Sequence, residues 1–224
     1  TAILSAGYGV GWRKYADTLL RQGVRLNPDL NVHYEMAKHA HSVYRLDNAP
    51  IVAFWKYCGQ VIEHLAGGGG GFFGGPSGRL FQYGMDTIAG RSFLQVPSIL
   101  GPNGFILRYP GLRAKEREDG SPEWVYDRYA GTRKAESRIY GASLTENLCQ
   151  YLAFALLMWQ ACRMKEKGVR IIANIHDSFL AVCPAGLEKD TERTMLECMT
   201  SVPDWLEGFP VGAEAEIGSD FTIA

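Results

Sequence analysis

The sequence predicts an α+β protein in which helices pack on an antiparallel sheet. Three observations carry that prediction. The stretch "VRIIANIHDSFLAVCP", 169–184, sets His176 and Asp177 between two apolar runs, Ile171, Ile172 and Ile175 before them and Phe179, Leu180 and Val182 after, the pattern of a strand pair with a polar tip. Ahead of it, "SLTENLCQYLAFALLMWQACRMKEKG" opens on an S-x-x-E capping box, Ser143 and Glu146, and stops at Gly168. Leu144, Leu148, Leu152, Ala155, Leu156 and Trp159 give that segment the broad apolar stripe of a core helix. The third observation is the order of the rest: helical spacing in the first third, then short strand-and-turn segments over 79–109.

Each element follows from local chemistry. "NVHYEMAKHAHSVYRL" places Val32, Met36, Ala37, His41 and Val43 at near-helical spacing. In "NAPIVAFWKYCGQVIEHLAG" Asn48 is a suitable N-cap, Pro50 is tolerated in the first turn and Gly67 ends the helix. The glycines from Gly67 to Gly71 read as a flexible linker. "REDGSPEW" carries the Asp-Gly and Ser-Pro signals of a charged hairpin tip. A further helix is expected over 188–201 and a final strand at "AEAEIG". There is no internal repeat.

Composition bounds the function classes. The 224 residues, 46% hydrophobic and 21% charged, suffice for one large domain or two small ones. No apolar run is long enough to span a bilayer. A secretory signal is also missing, and the opening at Thr1, within an apolar, glycine-rich segment, leads us to expect that the sequence continues a longer one. The five cysteines, Cys58, Cys149, Cys162, Cys183 and Cys198, include no CxxC pair, so free thiols in a reducing compartment are expected instead of a zinc or redox motif. From Glu188 onward there are nine acidic residues against two basic ones, which leaves a surplus of six positive charges on the remainder. That permits nucleic-acid binding without requiring it.

Spacing alone leaves the chemistry open. The His176–Asp177 tip reads first as an exposed turn, since Asp is a common turn residue, and second as a carboxylate held out for a metal or phosphate. "GYGVG" lacks the G-x-G-x-x-G spacing of a dinucleotide loop, and its glycines fit a helix end that approaches a nucleobase or another helix. Any one of Arg79, Arg108, Arg113, Arg128, Arg133, Lys134 and Arg138 reads as solvated surface, with Glu116, Glu118, Asp119, Glu123 and Glu136 diluting their field.

Four separated stretches, taken together and in order, resemble the C-terminal part of family A DNA polymerases of the phage type. "ILSAGYGVGWRKYA" looks like the end of the fingers helix, "PSGRLFQY" like the strand segment after the fingers, and "YGASLTENLCQ" followed by "IHDS" like the palm helix and its His-Asp hairpin. "PDWLEGFPVGAEAEIGSDF" is similar to the terminal strand region. The resemblance implies an antiparallel palm sheet with packed helices over 76–224 and a mainly helical partial fingers region with its glycine linker over 1–75. It implies template-directed DNA synthesis with primer–template DNA, deoxynucleoside triphosphates and two Mg2+ ions as partners, in the cytoplasm of a bacterium or phage-infected cell and without a membrane.

Carried over position by position, Asp177 matches the metal-binding aspartate and His176 its neighbour near the primer end. Tyr8 matches the tyrosine at the nascent base pair, Gly9 follows it, and Leu4 stands where an aromatic often senses the sugar. Thr145, Glu146, Asn147 and Gln150 fall in the segment that touches the duplex, Arg138 just before it is the best phosphate candidate, and Arg79 lies in the segment after the fingers. Three departures qualify the match. Ser178 replaces the usual glutamate of His-Asp-Glu, and both the triphosphate-gripping lysine and the other metal aspartate are expected upstream of Thr1. Glu214 and Glu216, on the expected last strand, read as structural or solvated. The chain alone is therefore expected to be inactive and to need the upstream part, in the same chain or as a split subunit. A non-catalytic DNA-binding subunit using the basic residues is the alternative, and a nucleotide-binding regulatory module built on "GYGVG" is a third reading.

Overall fold

Among the described residues, helix formation begins just after Gly11. In the computed structural model, which describes residues 9–87, 95–117 and 120–219, α1 spans Trp12–Arg21, α2 Leu30–Asp47 and α3 Ala49–Ala66. Leu4 and Tyr8 lie outside the described residues. Strands β1 (Gly71–Phe73), β2 (Phe81–Thr87), β3 (Gln95–Leu100) and β4 (Ile106–Arg108) follow, then β5 (Arg113–Glu116), β6 (Pro122–Ala130) and β7 (Arg133–Ile139). Helix α4 spans Gly141–Glu166, the hairpin β8 (Arg170–Ile175) and β9 (Ser178–Val182) comes next, and α5 covers Glu188–Met199. The class is α+β, all three sheets being antiparallel. No helix among the described residues is long and apolar enough to cross a membrane. The chain divides into two compact units, Thr1–Cys149 and Gln150–Ala224, and the boundary expected near residue 75 falls inside the first.

In the first unit α1 and α2 pair through Tyr15, Ala16, Leu19 and Ala37. The buried side of α2 matches its expected stripe in part. Ala37 and His41 are buried, with His33 beside them, whereas Val32, Met36 and Val43 are exposed. Buried polar groups require partners, and both imidazoles have them. His33 Nδ1 accepts the Leu26 N–H at 3.1 Å and its Nε2 lies 3.2 Å from the Ala16 carbonyl oxygen, while His41 Nε2 lies 2.7 Å from that of Val10. These histidines tie the flanks of α1 to α2.

Helix α3 starts after Asn48 with Pro50 in its first turn and stops at Gly67, as its sequence requires. Its buried residues Trp55, Cys58, Val61, Ile62 and Leu65 form one side, and the helix lies against β2 and β3 of the four-stranded sheet β1-β2-β3-β4. Phe73 and Phe81 stack 5.3 Å apart in that core. The glycines before β1 are not a free linker. Gly69 lies on the His64 ring where any Cβ would collide, Gly70 abuts Tyr83 and Gly84, and Gly71 opens β1. Only a residue without a side chain lets the backbone lie this close.

Of the expected hairpin tip "REDGSPEW", residues 118 and 119 lie outside the described residues; on either side of them β5 pairs with β6, with Arg117 N–H to Ser121 O at 2.9 Å and Gly120 N–H to Arg117 O at 2.9 Å. In the second unit Met164, Val169 and Cys198 bury against Ile171, Phe179, Ala181, Met195 and Met199, so the hairpin packs on the end of α4 and on α5. The expected strand at "AEAEIG" is not formed. Residues 207–217 carry no regular structure, and Glu214 and Glu216 are exposed. Among the described residues of this unit the only ladder is β8–β9, and the segment pairs with neither of its edges. A strand without a partner leaves its backbone groups to water.

Candidate functional site

The hairpin tip is made by two residues. Ile175 pairs with Ser178, which leaves His176 and Asp177 as the whole turn. His176 has φ 55°, the one positive φ among described non-glycine residues, and such a conformation costs a side chain with a Cβ about 1 kcal/mol. The Asn174 side-chain amide holds the turn by donating to the Ser178 carbonyl at 3.1 Å and the His176 carbonyl at 3.4 Å. Both tip side chains are exposed. Asp177 makes no ion pair with any described residue. The ribbon therefore presents, at a turn bonded by Asn174, a carboxylate with no ion-pair partner among the described residues.

Magnesium takes oxygen ligands in near-octahedral geometry and usually draws one or two from carboxylates. The described residues contain no group of three or more His, Cys, Asp or Glu side chains able to hold a metal. Asp177 stands without such a group around it, and Glu214 and Glu216 are exposed on an irregular segment. Along β8 and β9 one face packs inward, while Ile172, Ile175 and Val182 stay 41–52% exposed. A two-stranded ribbon is marginal by itself, and this one leaves apolar surface uncovered.

The second cluster of expected site residues lies at the start of α4, in the first unit. The helix begins one turn earlier than its capping box suggests, because Gly141 fits against the Trp55 carbonyl oxygen at a point where a Cβ would overlap it. Ser143 consequently falls inside the first turn, its hydroxyl accepting the Tyr140 N–H at 2.8 Å. Gly9, at φ 69°, packs on Ala142, and a Cβ there would come within 2.5 Å of the Ala142 Cβ. The Thr145 hydroxyl lies 3.0 Å from the Gly141 carbonyl oxygen and 3.5 Å from Cys58 Sγ. Burial pushes the Cys58 thiol up to about 11. The Asn147 amide donates to the Tyr109 hydroxyl at 3.1 Å. Tyr109 is buried edge-on against Tyr126, and desolvation pushes its hydroxyl up to about 12, so it stays protonated at neutral pH. Gly9, Thr145 and Asn147 are thus gathered at one helix start, and Gln150 follows as an exposed residue of the second unit.

The two expected arginines are engaged within the chain. Arg79 stacks 4.2 Å over the Phe72 ring. Arg138 bonds Glu123 at 3.0 Å with its side chain 73% exposed. Tyr109 was not legible as a supporting residue, since a tyrosine among turns carries no spacing signal. Lys115 and Arg117 also escaped the sequence reading, although the alternation R-x-K-x-R in "RAKER" marks one face of a strand. Comparison with family models, with curated proteins and with solved structures gave no match.

Proposed function

We propose that the chain is the palm and partial fingers of a family A DNA polymerase, which extends a primer 3′ end with deoxynucleotides on a DNA template. The observation that carries the reading is the tip itself. A His-Asp pair, exposed and free of ion-pair partners among the described residues, ends a ribbon that follows a long helix whose first turns hold Thr145 and Asn147 in place. In this reading Asp177 contributes one carboxylate to a two-ion site, where ions about 3.5–4 Å apart clamp the attacking and leaving oxygens. The remaining ligands come from the upstream part and the triphosphate. His176 lies by the primer end, and Asn147 and Gln150 reach the duplex. Tyr8 and Gly9 cover the incoming nucleotide. The exposed apolar side of the hairpin supports a partner segment that adds to it. The lone carboxylate is also what a non-catalytic DNA-binding subunit would carry.

A primer-extension gel separates these readings. The 224-residue chain alone is expected not to extend a primer with Mg2+. Joined by the upstream part, covalently or as a partner chain, it is expected to extend. Binding of primer–template DNA without extension after reconstitution would favour the binding subunit, and extension by the isolated chain would overturn the claim that its site is incomplete.

A further inference from the structure

The three-stranded sheet β5-β6-β7 carries a charge arrangement that its sequence hides. The register puts Arg113 and Lys115, then Glu123, Val125 and Asp127, then Lys134, Glu136 and Arg138 on one face. Arg117, just past β5, joins them through Glu123 at 3.1 Å. Each carboxylate is shared by two cations: Glu123 by Arg117 and Arg138, Asp127 by Arg113 and Lys134, Glu136 by Arg113 and Lys115. The cations are outermost, their side chains 46–73% exposed, while the carboxylates are sunk to 7–33%. Five cations over three carboxylates leave a positive surplus among the described residues, and the sign facing solvent is more positive than that sum.

We infer that this face docks the phosphate backbone of duplex DNA. Ion pairs at a surface contribute little stability, so pairing alone does not call for more cations than carboxylates. The sunken carboxylates hold the cationic heads in fixed places, which lowers the ordering cost of a later contact. Cations on the two outer strands form rows about 10 Å apart. Alternate residues along one strand lie about 6.6 Å apart, so each row meets a run of phosphates, which recur about every 3.4 Å of axis on each DNA strand. The contact is separate from the chemistry assigned to Asp177 and does not require it.

The test is fluorescence anisotropy of a labelled, blunt 20-base-pair duplex titrated with the 224-residue chain across a salt series. Lys115→Gln with Lys134→Gln removes two cations while Arg113 still bonds both Glu136 and Asp127. The double variant is expected to bind about tenfold more weakly at 0.1 M salt, with the slope of log K against log salt shallower by about 1.8. Lys115→Arg with Lys134→Arg should restore both, and Lys14→Gln with Lys189→Gln, an equal charge change on helices, should leave the slope unchanged. An unchanged slope in the first pair, an equal loss in the helix pair, or no salt-dependent duplex binding by the wild type overturns the inference. A single strand bound with the same dependence on Lys115 and Lys134 overturns its assignment to duplex DNA. The outcome is distinct from that of the polymerase reading: extension by the reconstituted protein with unaltered duplex affinity in the double variant would remove this inference alone.

Discussion

Two aspartates on antiparallel ladders, Asp127 on β6 and Asp177 at the end of β8–β9, stand in opposite surroundings. Asp127 is buried, and its carboxylate meets Lys134 at 2.8 Å and Arg113 at 3.1 Å. The hydrogen bond from Lys134 and then that from Arg113 hold its carboxyl below the usual carboxylate range. Asp177 is exposed, with no cation in reach among the described residues. The difference teaches that a carboxylate's role is set by its cross-strand partners. In sequence, "VYDRY" and "IHDSF" look equally like a charge interrupting a strand. Register gives the first two cations of its own and leaves the second exposed without one among the described residues.

The same contrast separates the anchored start of α4 from the tip, and substitutions should rank accordingly. Leu148 is fully buried, so Leu148→Ala should cost about 2–5 kcal/mol in a denaturant melt. Leu152, half-buried, should cost less; equal losses would show that the helix presents a different side to its core. Gly141→Ala must push the helix off the Trp55 carbonyl and should cost about 1–3 kcal/mol. No loss there would break the claim that the helix start is anchored by close approach. Tyr109→Phe removes the hydroxyl that holds Asn147 and should cost about 1 kcal/mol.

Acid sharpens the contrast. Lys134 lowers the Asp127 pKa and Lys115 lowers that of Glu136. A lowered folded value means that the stability is present above the unfolded carboxylate range, near pH 4, and is lost as pH falls through the folded value. Thermal melts followed by circular dichroism should therefore show stability falling below about pH 4. Asp127→Asn should be less stable than wild type at pH 7 and less dependent on pH below 4. A pH profile unchanged by that substitution would remove Asp127 from the network. The smallest effect belongs to the tip, where Asp177→Asn should change stability by no more than about 0.5 kcal/mol.

Much of this was legible in the sequence where local chemistry and packing agree. The hairpin tip was placed because a two-residue polar break between apolar runs has few other solutions, and α4 because its stripe and Gly168 stop coincide. The misreadings share a physical cause, a partner distant in sequence. His33, outside the expected stripe, is buried where the carbonyl of Ala16 receives it, while Val32, Met36 and Val43 on the same helix are exposed. Gly69 reads as linker until the His64 ring is placed beneath it, and "AEAEIG" reads as a strand although no neighbour pairs with it. The tip carboxylate was visible, but its lack of cations was not, since that depends on everything folded around it.

Under the proposed function Asp177 serves chemistry and Asp127 serves structure. That division is tested most directly by one primer-extension time course with the reconstituted protein as wild type, Asp177→Asn and Asp127→Asn, beside melting curves of the same samples. Asp177→Asn is expected to abolish extension with an unchanged melt and retained primer–template binding, whereas Asp127→Asn is expected to lower the melting temperature and still extend below it. Extension at the wild-type rate by Asp177→Asn would remove Asp177 from the proposed chemistry.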